Sequence, residues 1–149
     1  MSEPRELKTP WELFHVECGP GWAGLYTPLL KLCEVYGISV MQVKEKFGGL
    51  RFYTGGYADP ARAMEEIPPP DLRDIISAAE AASYHTCEEC GVSGVERWEE
   101  GKPVYKVMTG RSRTSGWLRS LCARCREAWD QKREADDAKL KARREAKEL

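Results

Sequence analysis

The sequence predicts an α+β chain in which a small helix and β-hairpin domain is followed by a four-cysteine metal module and a long C-terminal helix. Three observations carry that expectation. A helix-spaced apolar run near residue 30 gives way to β-branched and aromatic stretches, two C-x2-C pairs stand 31 residues apart, and the tail from Arg126 to Leu149 lacks Gly and Pro. The natural boundaries are 1–84 for the N-terminal domain, 85–129 for the metal module and 130–149 for the charged helix.

In the first domain, Thr27-Pro28 reads as an N-cap followed by Pro at the first helical position, with Leu29, Leu32, Cys33 and Tyr36 on one helical face. Gly37 supplies a stop. Ile38–Val43 and Lys44–Tyr53 then read as two strands joined near Phe47-Gly48-Gly49, because glycine readily takes the positive φ of a hairpin turn. Gly55 to Pro70 carries two Gly and four Pro and is expected to be loop. Asp71 is expected to cap a helix bearing Leu72, Ile75, Ile76, Ala79 and Ala82 at helical spacing. That helix runs directly towards Cys87.

Composition narrows the function classes. With 149 residues, 42% hydrophobic and 32% charged, the chain is globular in type and too short for a large multidomain enzyme. Its longest uncharged stretch, Cys18 to Leu30, holds three Gly and two Pro, so no membrane span is expected. The charged opening from Met1 to Trp11 does not resemble a signal peptide, and a cytoplasmic location follows as the expectation. Net charge is near zero, with 23 Lys plus Arg against 24 Asp plus Glu. Charge is unevenly placed, however. Residues 1–84 carry 12 acids and 8 bases, whereas Lys102 to Arg126 carries seven bases and no acid.

A cytosolic compartment keeps thiols reduced, so the six cysteines do not read as disulfides. Cys87-x2-Cys90 and Cys122-x2-Cys125 read instead as the four ligands of one structural Zn²⁺, since each C-x2-C turn brings two sulfurs to one ion. Gly91 follows the second ligand, where a tight knuckle needs glycine. The second pair falls where the tail helix begins, a position that favours anionic thiolate. A redox dithiol is the competing reading, but it requires only one pair. The order of knuckle, extended hairpin and cysteine pair at a helix start resembles a treble-clef zinc finger. Val104–Met108 and Ser115–Arg119 are its expected strands. Cys33 reads as a small core residue, while His15-x2-Cys18 has ligand-like spacing without a second pair.

Catalytic signatures are absent from the sequence. HNH-type chemistry needs histidines inside or after the finger, and His15 and His85 both precede Cys87. A zinc deaminase would place Pro where Thr86 and Leu121 stand. No P-loop, GxGxxG, GxSxG or HExxH occurs. Lys46-Phe-Gly-Gly-Leu-Arg51 has the composition of a phosphate cradle, but its glycines sit between two strand-like runs and a hairpin is the better reading.

The basic window offers Lys106, Arg111, Arg113, Trp117 and Arg119 as candidate nucleic-acid contacts, a mixture of cations and an aromatic ring suited to phosphates and bases. Two bland alternatives stand beside it. In one, Arg119, Arg124 and Arg126 neutralise the thiolates; in the other, Trp117 packs under the knuckle. No small-molecule substrate is suggested. The expected function is therefore non-enzymatic binding of nucleic acid or a nucleoprotein machine. The alternative is an adaptor or inhibitor acting on a host protein.

The run Glu17-Cys-Gly-Pro-Gly-Trp22, the helix end Leu32-Cys-Glu34, the block Val43-Lys-Glu-Lys-Phe-Gly-Gly-Leu-Arg-Phe-Tyr53 and the knuckle Thr86-Cys-Glu-Glu-Cys-Gly91 together resemble a family of small proteins of bacteriophage and bacterial genomes. The resemblance covers residues 17–91. It implies a phage or prophage setting within a bacterial cytoplasm and no catalytic activity, and it brings no functional residues with it.

Overall fold

A computed structural model of the chain describes residues 16–113 and 116–148. It is α+β, with three helices and three two-stranded antiparallel sheets among the described residues. A 3-10 turn, Pro20–Trp22, leads into α1 (Ala23–Tyr36), which starts before the expected Thr27-Pro28 cap and holds Pro28 in its interior. Burial explains the early start. Trp22 and Tyr26, both 0% exposed, draw the first turn into the core. Pro28 and Gly24, four residues apart, both lie on the solvent side, so the carbonyl that loses its N–H partner can be hydrated. Gly37 ends α1 in the left-handed region, as its position in the sequence predicts.

Strands β1 (Ile38–Lys46) and β2 (Gly49–Tyr57) pair antiparallel about a two-residue turn, with Val43 opposite Phe52 and Lys46 opposite Gly49. The turn residues are Phe47 and Gly48, at φ 52 and 82, so one of the positive-φ positions falls on phenylalanine and not on Gly49. Gly49 is needed for another reason: a Cβ there would lie 2.4 Å from the Tyr84 ring. β2 also continues through Gly55 and Gly56, which the sequence assigned to loop, opposite a β1 segment with two register shifts. At Gly55 the side chains of Ser39 and Met41 occupy the space a Cβ would take.

Helix α2 (Pro70–Ser83) begins one residue before the expected cap. Pro70, whose fixed φ suits the first helical position, starts it, and Asp71 lies in the first turn without capping it. Leu72 and Ile76 are buried while Ile75 is exposed. With α1 they cover one face of the β1–β2 ribbon, where Leu29, Cys33, Val43, Leu50 and Phe52 form the main core. Leu29, Leu50 and Leu72 are 0–2% exposed, and each contributes roughly 1.5–3 kcal/mol by burial. The ribbon's edges are partly covered. Glu80 and Ser83 of α2 accept from the Phe52 and Leu50 N–H groups at 2.9 and 2.8 Å. Glu17 bridges Val43 and Glu45 on the β1 side.

The C-terminal half has one hairpin more than expected. Residues 104–108 do not form one strand: they are divided at Lys106 between β4 (Lys102–Tyr105), which pairs with β3 (Val95–Glu99), and β5 (Val107–Arg111), which pairs with β6 (Leu118–Cys122). Glu100-Gly101, both at positive φ, closes the additional hairpin. Gly116 and Trp117 precede β6, and Ser115 lies outside the described residues. Helix α3 (Ala123–Lys147) is continuous across residues 129 and 130. Cys87, Val107 and Leu121 form a small second core, flanked by Val92, Cys122, Cys125 and Trp129.

Replacing Ser83 by Ala removes the acceptor of a buried N–H on β2. Urea denaturation should show a loss of about 1–3 kcal/mol. An unchanged midpoint would mean that the Leu50 N–H finds another partner.

Candidate metal centre

The chain leaves α2 through Tyr84–Thr86 and turns sharply at Cys87–Gly91. In that turn Cys87 N–H donates to Val92 O (2.8 Å), Gly91 N–H donates to Cys87 O (2.9 Å), and Gly91 stands at φ 78. The second pair lies at the junction of β6 and α3, with Cys122 as the N-cap residue and Cys125 in the first turn. The two turns converge. All four Sγ atoms lie within 4.8 Å of one another, and Cys90 and Cys122 Sγ are 3.8 Å apart. Sulfurs about 2.3 Å from one tetrahedral ion would be separated by about 3.8 Å, so the cluster is positioned to hold one metal ion. It is the one such group among the described residues.

The thiols are not equivalent. Burial opposes ionisation of Cys87, but N–H groups of Cys90, Cys122 and Glu89 point at its sulfur and hold it down at about 7. Cys90 and Cys125 are pushed above the ordinary thiol range. For Cys90 the Val92 N–H and, less strongly, Cys125 oppose the rise, which comes from burial and the Cys87 and Cys122 sulfurs; for Cys125 burial leads and its three sulfur neighbours add to it. Four sulfurs this close cannot all carry charge alone, and a dication resolves the conflict. Cys18 is separate from the cluster, and burial, followed by Glu88 and Glu45, pushes its thiol up to about 12. His15, its candidate companion, lies outside the described residues. Cys33 is a core residue at 1% exposure.

The knuckle is docked on the first domain by the turn before α1. Gly21 N–H donates to Glu88 O (2.7 Å), Gly19 N–H to Glu88 Oε2 (2.8 Å), and Trp22 Nε1–H to Thr86 O (2.8 Å). The approach is so close that a Cβ on Gly21 would lie 2.1 Å from Cys87 O. Glu88, at 4% exposure, turns its other carboxylate oxygen to Arg119 Nε (3.1 Å), and Arg119 Nη2 reaches Glu89 (2.6 Å). The Arg119 guanidinium also lies 4.9 Å from the Trp129 ring centroid. Glu88 N–H donates to Ser120 O, and Ser120 Oγ–H donates to Gly48 O at the β1–β2 turn. Sequence reading missed Glu88, Ser120 and the paired glycines. Only the Gly-Pro-Gly spacing and the acidic residues inside the knuckle hinted at them.

The basic window divides into two sets. Arg119 is internal, and Arg113 is held by Glu127 and Glu134, with its backbone N–H on Asp130. Arg126 donates to the Met108, Gly110 and Arg119 carbonyls and so ties α3 to the β5–β6 hairpin. Lys106, Arg111 and Trp117 are exposed, Trp117 to 59%, and Arg111 Nη1 donates to Gly116 O. Lys46–Arg51 forms the hairpin, and Gly48 N–H is taken by Glu45 Oε1 (2.7 Å), not offered to an anion. Compared with protein-family models, curated proteins and solved structures, the chain matches none. Among the described residues, no helix is long and apolar enough to cross a membrane.

Metal binding must displace thiol protons here. Zinc added to the chelated protein in weak buffer should therefore release protons, and apparent affinity should be much lower at about pH 6 than at about pH 8, because acid protonates the ligands. Equal affinity at both values would contradict thiolate ligation.

Proposed function

We propose that this chain is a non-enzymatic, zinc-stabilised binding protein that contacts nucleic acid through the exposed end of the β5–β6 hairpin. The observation that carries the reading is that one hairpin ends at the four-cysteine cluster and has Arg111 and Trp117 at its other end. A site closed by Cys87, Cys90, Cys122 and Cys125 leaves no coordination position for water or substrate, so zinc there holds structure. Arg111 and Trp117 are the assigned contacts at that tip, whereas Lys106, also exposed, precedes β5 at the hairpin's opposite end. Arg119 supports the knuckle from within and the exposed Arg113 ties the loop to α3, since their guanidiniums already face carboxylates. The phage or prophage setting, in a bacterial cytoplasm, rests on the resemblance of the sequence blocks.

A second reading has its own observation. Every residue of β3 is exposed, and Trp98 is 67% exposed, which suits a protein contact by an adaptor or inhibitor of a host protein. The two readings separate by salt. Binding of labelled DNA or RNA measured by anisotropy should weaken steeply as salt rises, and Arg111→Ala should reduce the log–log slope by about 0.7–0.9. Absent or salt-insensitive binding would reject the nucleic-acid reading. If a nuclease-treated lysate then yielded a stoichiometric protein lost on Trp98→Ala, the adaptor reading would take its place.

A further inference from the structure

The basic window is not the whole cationic surface. Strand alternation sets Val43, Glu45, Leu50 and Phe52 on one face of the β1–β2 ribbon and Gln42, Lys44, Lys46, Arg51 and Tyr53 on the other. The first face is built around the core. The second carries three cations and an aromatic ring, with Lys44 Nζ 5.9 Å from the Tyr53 ring centroid. Two carboxylates border it: Glu17, paired with Lys44 at the ribbon's edge, accepts from Gln42 Nε2, and Glu45, which caps the turn N–H, lines the groove at the tip. This clustering occurs in the half of the chain where acids outnumber bases.

At the tip of the same ribbon stands Phe47, in a conformation that disfavours it. Its φ is 52, a region costly for bulky side chains, and its ring is 67% exposed, so no core packing offsets the strain. A two-residue turn of this kind is most readily made by Asn-Gly. Phe47 and Lys46 face Arg111, Trp117 and Leu118 across a groove of about 350 Å³, within the range that takes small organic groups. Lys46 Nζ lies 5.6 Å from the Phe47 ring centroid.

We propose that this ribbon face and the groove at its tip form one track for single-stranded nucleic acid, with Phe47 and Trp117 as stacking platforms and Lys44, Lys46, Arg51 and Arg111 along the phosphates. The proposal rests on the nucleic-acid reading above and names its substrate class. Two exposed flat rings between cations match a chain of alternating bases and phosphates. A duplex keeps its base faces stacked against one another, and an acidic peptide would answer the cations but leave the rings unused.

The test is anisotropy of labelled oligothymidylate and of a duplex of equal length, using the full zinc-loaded chain. Phe47→Asn removes the ring while improving the turn, so its thermal midpoint should hold or rise. Oligothymidylate should bind more tightly than the duplex, and Phe47→Asn should weaken it roughly fivefold or more. Lys44→Gln with Arg51→Gln should reduce its log–log salt slope by about 1.4, two phosphates at roughly 0.7 each. If these variants bind like the parent chain while Arg111→Ala does not, the ribbon track is overturned and the nucleic-acid reading survives. A preference for duplex, or equal competition by polyglutamate, overturns the single-strand assignment. Absence of all nucleic-acid binding overturns both.

Discussion

Four sulfurs converging on one point tie the knuckle after α2 to the start of α3, and the C-terminal half depends on that closure. Among the described residues its own apolar core is three buried side chains, Cys87, Val107 and Leu121, far fewer than an independent fold of this size needs. A metal ion held by the four sulfurs would substitute for the missing core by joining segments more than thirty residues apart in sequence. The β5–β6 hairpin and the residue that follows β5 are tied to α3 by Arg126 and Asp130.

The same closure is coupled to the first domain through polar contacts. Glu88 is the hub: its backbone and carboxylate bind the Gly19–Gly21 turn on one side and Arg119 and Ser120 on the other. A buried carboxylate–guanidinium pair contributes little net stability, because desolvation offsets much of its attraction, but losing either partner strands a charge in the interior. Such a pair fixes geometry more than it adds free energy. The sequence blocks around Gly19, Gly48 and Cys87, which lie far apart in the chain, thus meet at one junction, and the β1–β2 tip is brought beside the β5–β6 tip.

How much of this was legible in the sequence follows from the range of each interaction. Local signals were readable: paired cysteines, the Gly37 stop, the strand runs flanking Gly48 and the Gly-free tail. Element starts were less so, since the burial of Trp22 and Tyr26 overrides the Pro28 signal only once a tertiary core exists. The β3–β4 hairpin passed unread because Glu100 takes a positive φ more usual for Asn or Gly. Long-range pairing was invisible. Arg119 reads as a free cation until Glu88, 31 residues away, folds against it, and Arg113 until Glu127 and Glu134 of α3 do the same. The cationic face of the ribbon was hidden differently, because Lys44, Lys46 and Arg51 become neighbours only in the hairpin register.

Cobalt(II) provides the most direct view of the junction, because its absorption reports both ligand type and geometry. Titration of the chelated chain should give intense sulfur-to-cobalt charge transfer and strong tetrahedral d–d bands that saturate at one ion per chain and vanish on addition of one equivalent of zinc. Weak octahedral bands, or no sulfur charge transfer at saturation, would contradict a four-cysteine centre and with it the account of how the two halves are joined.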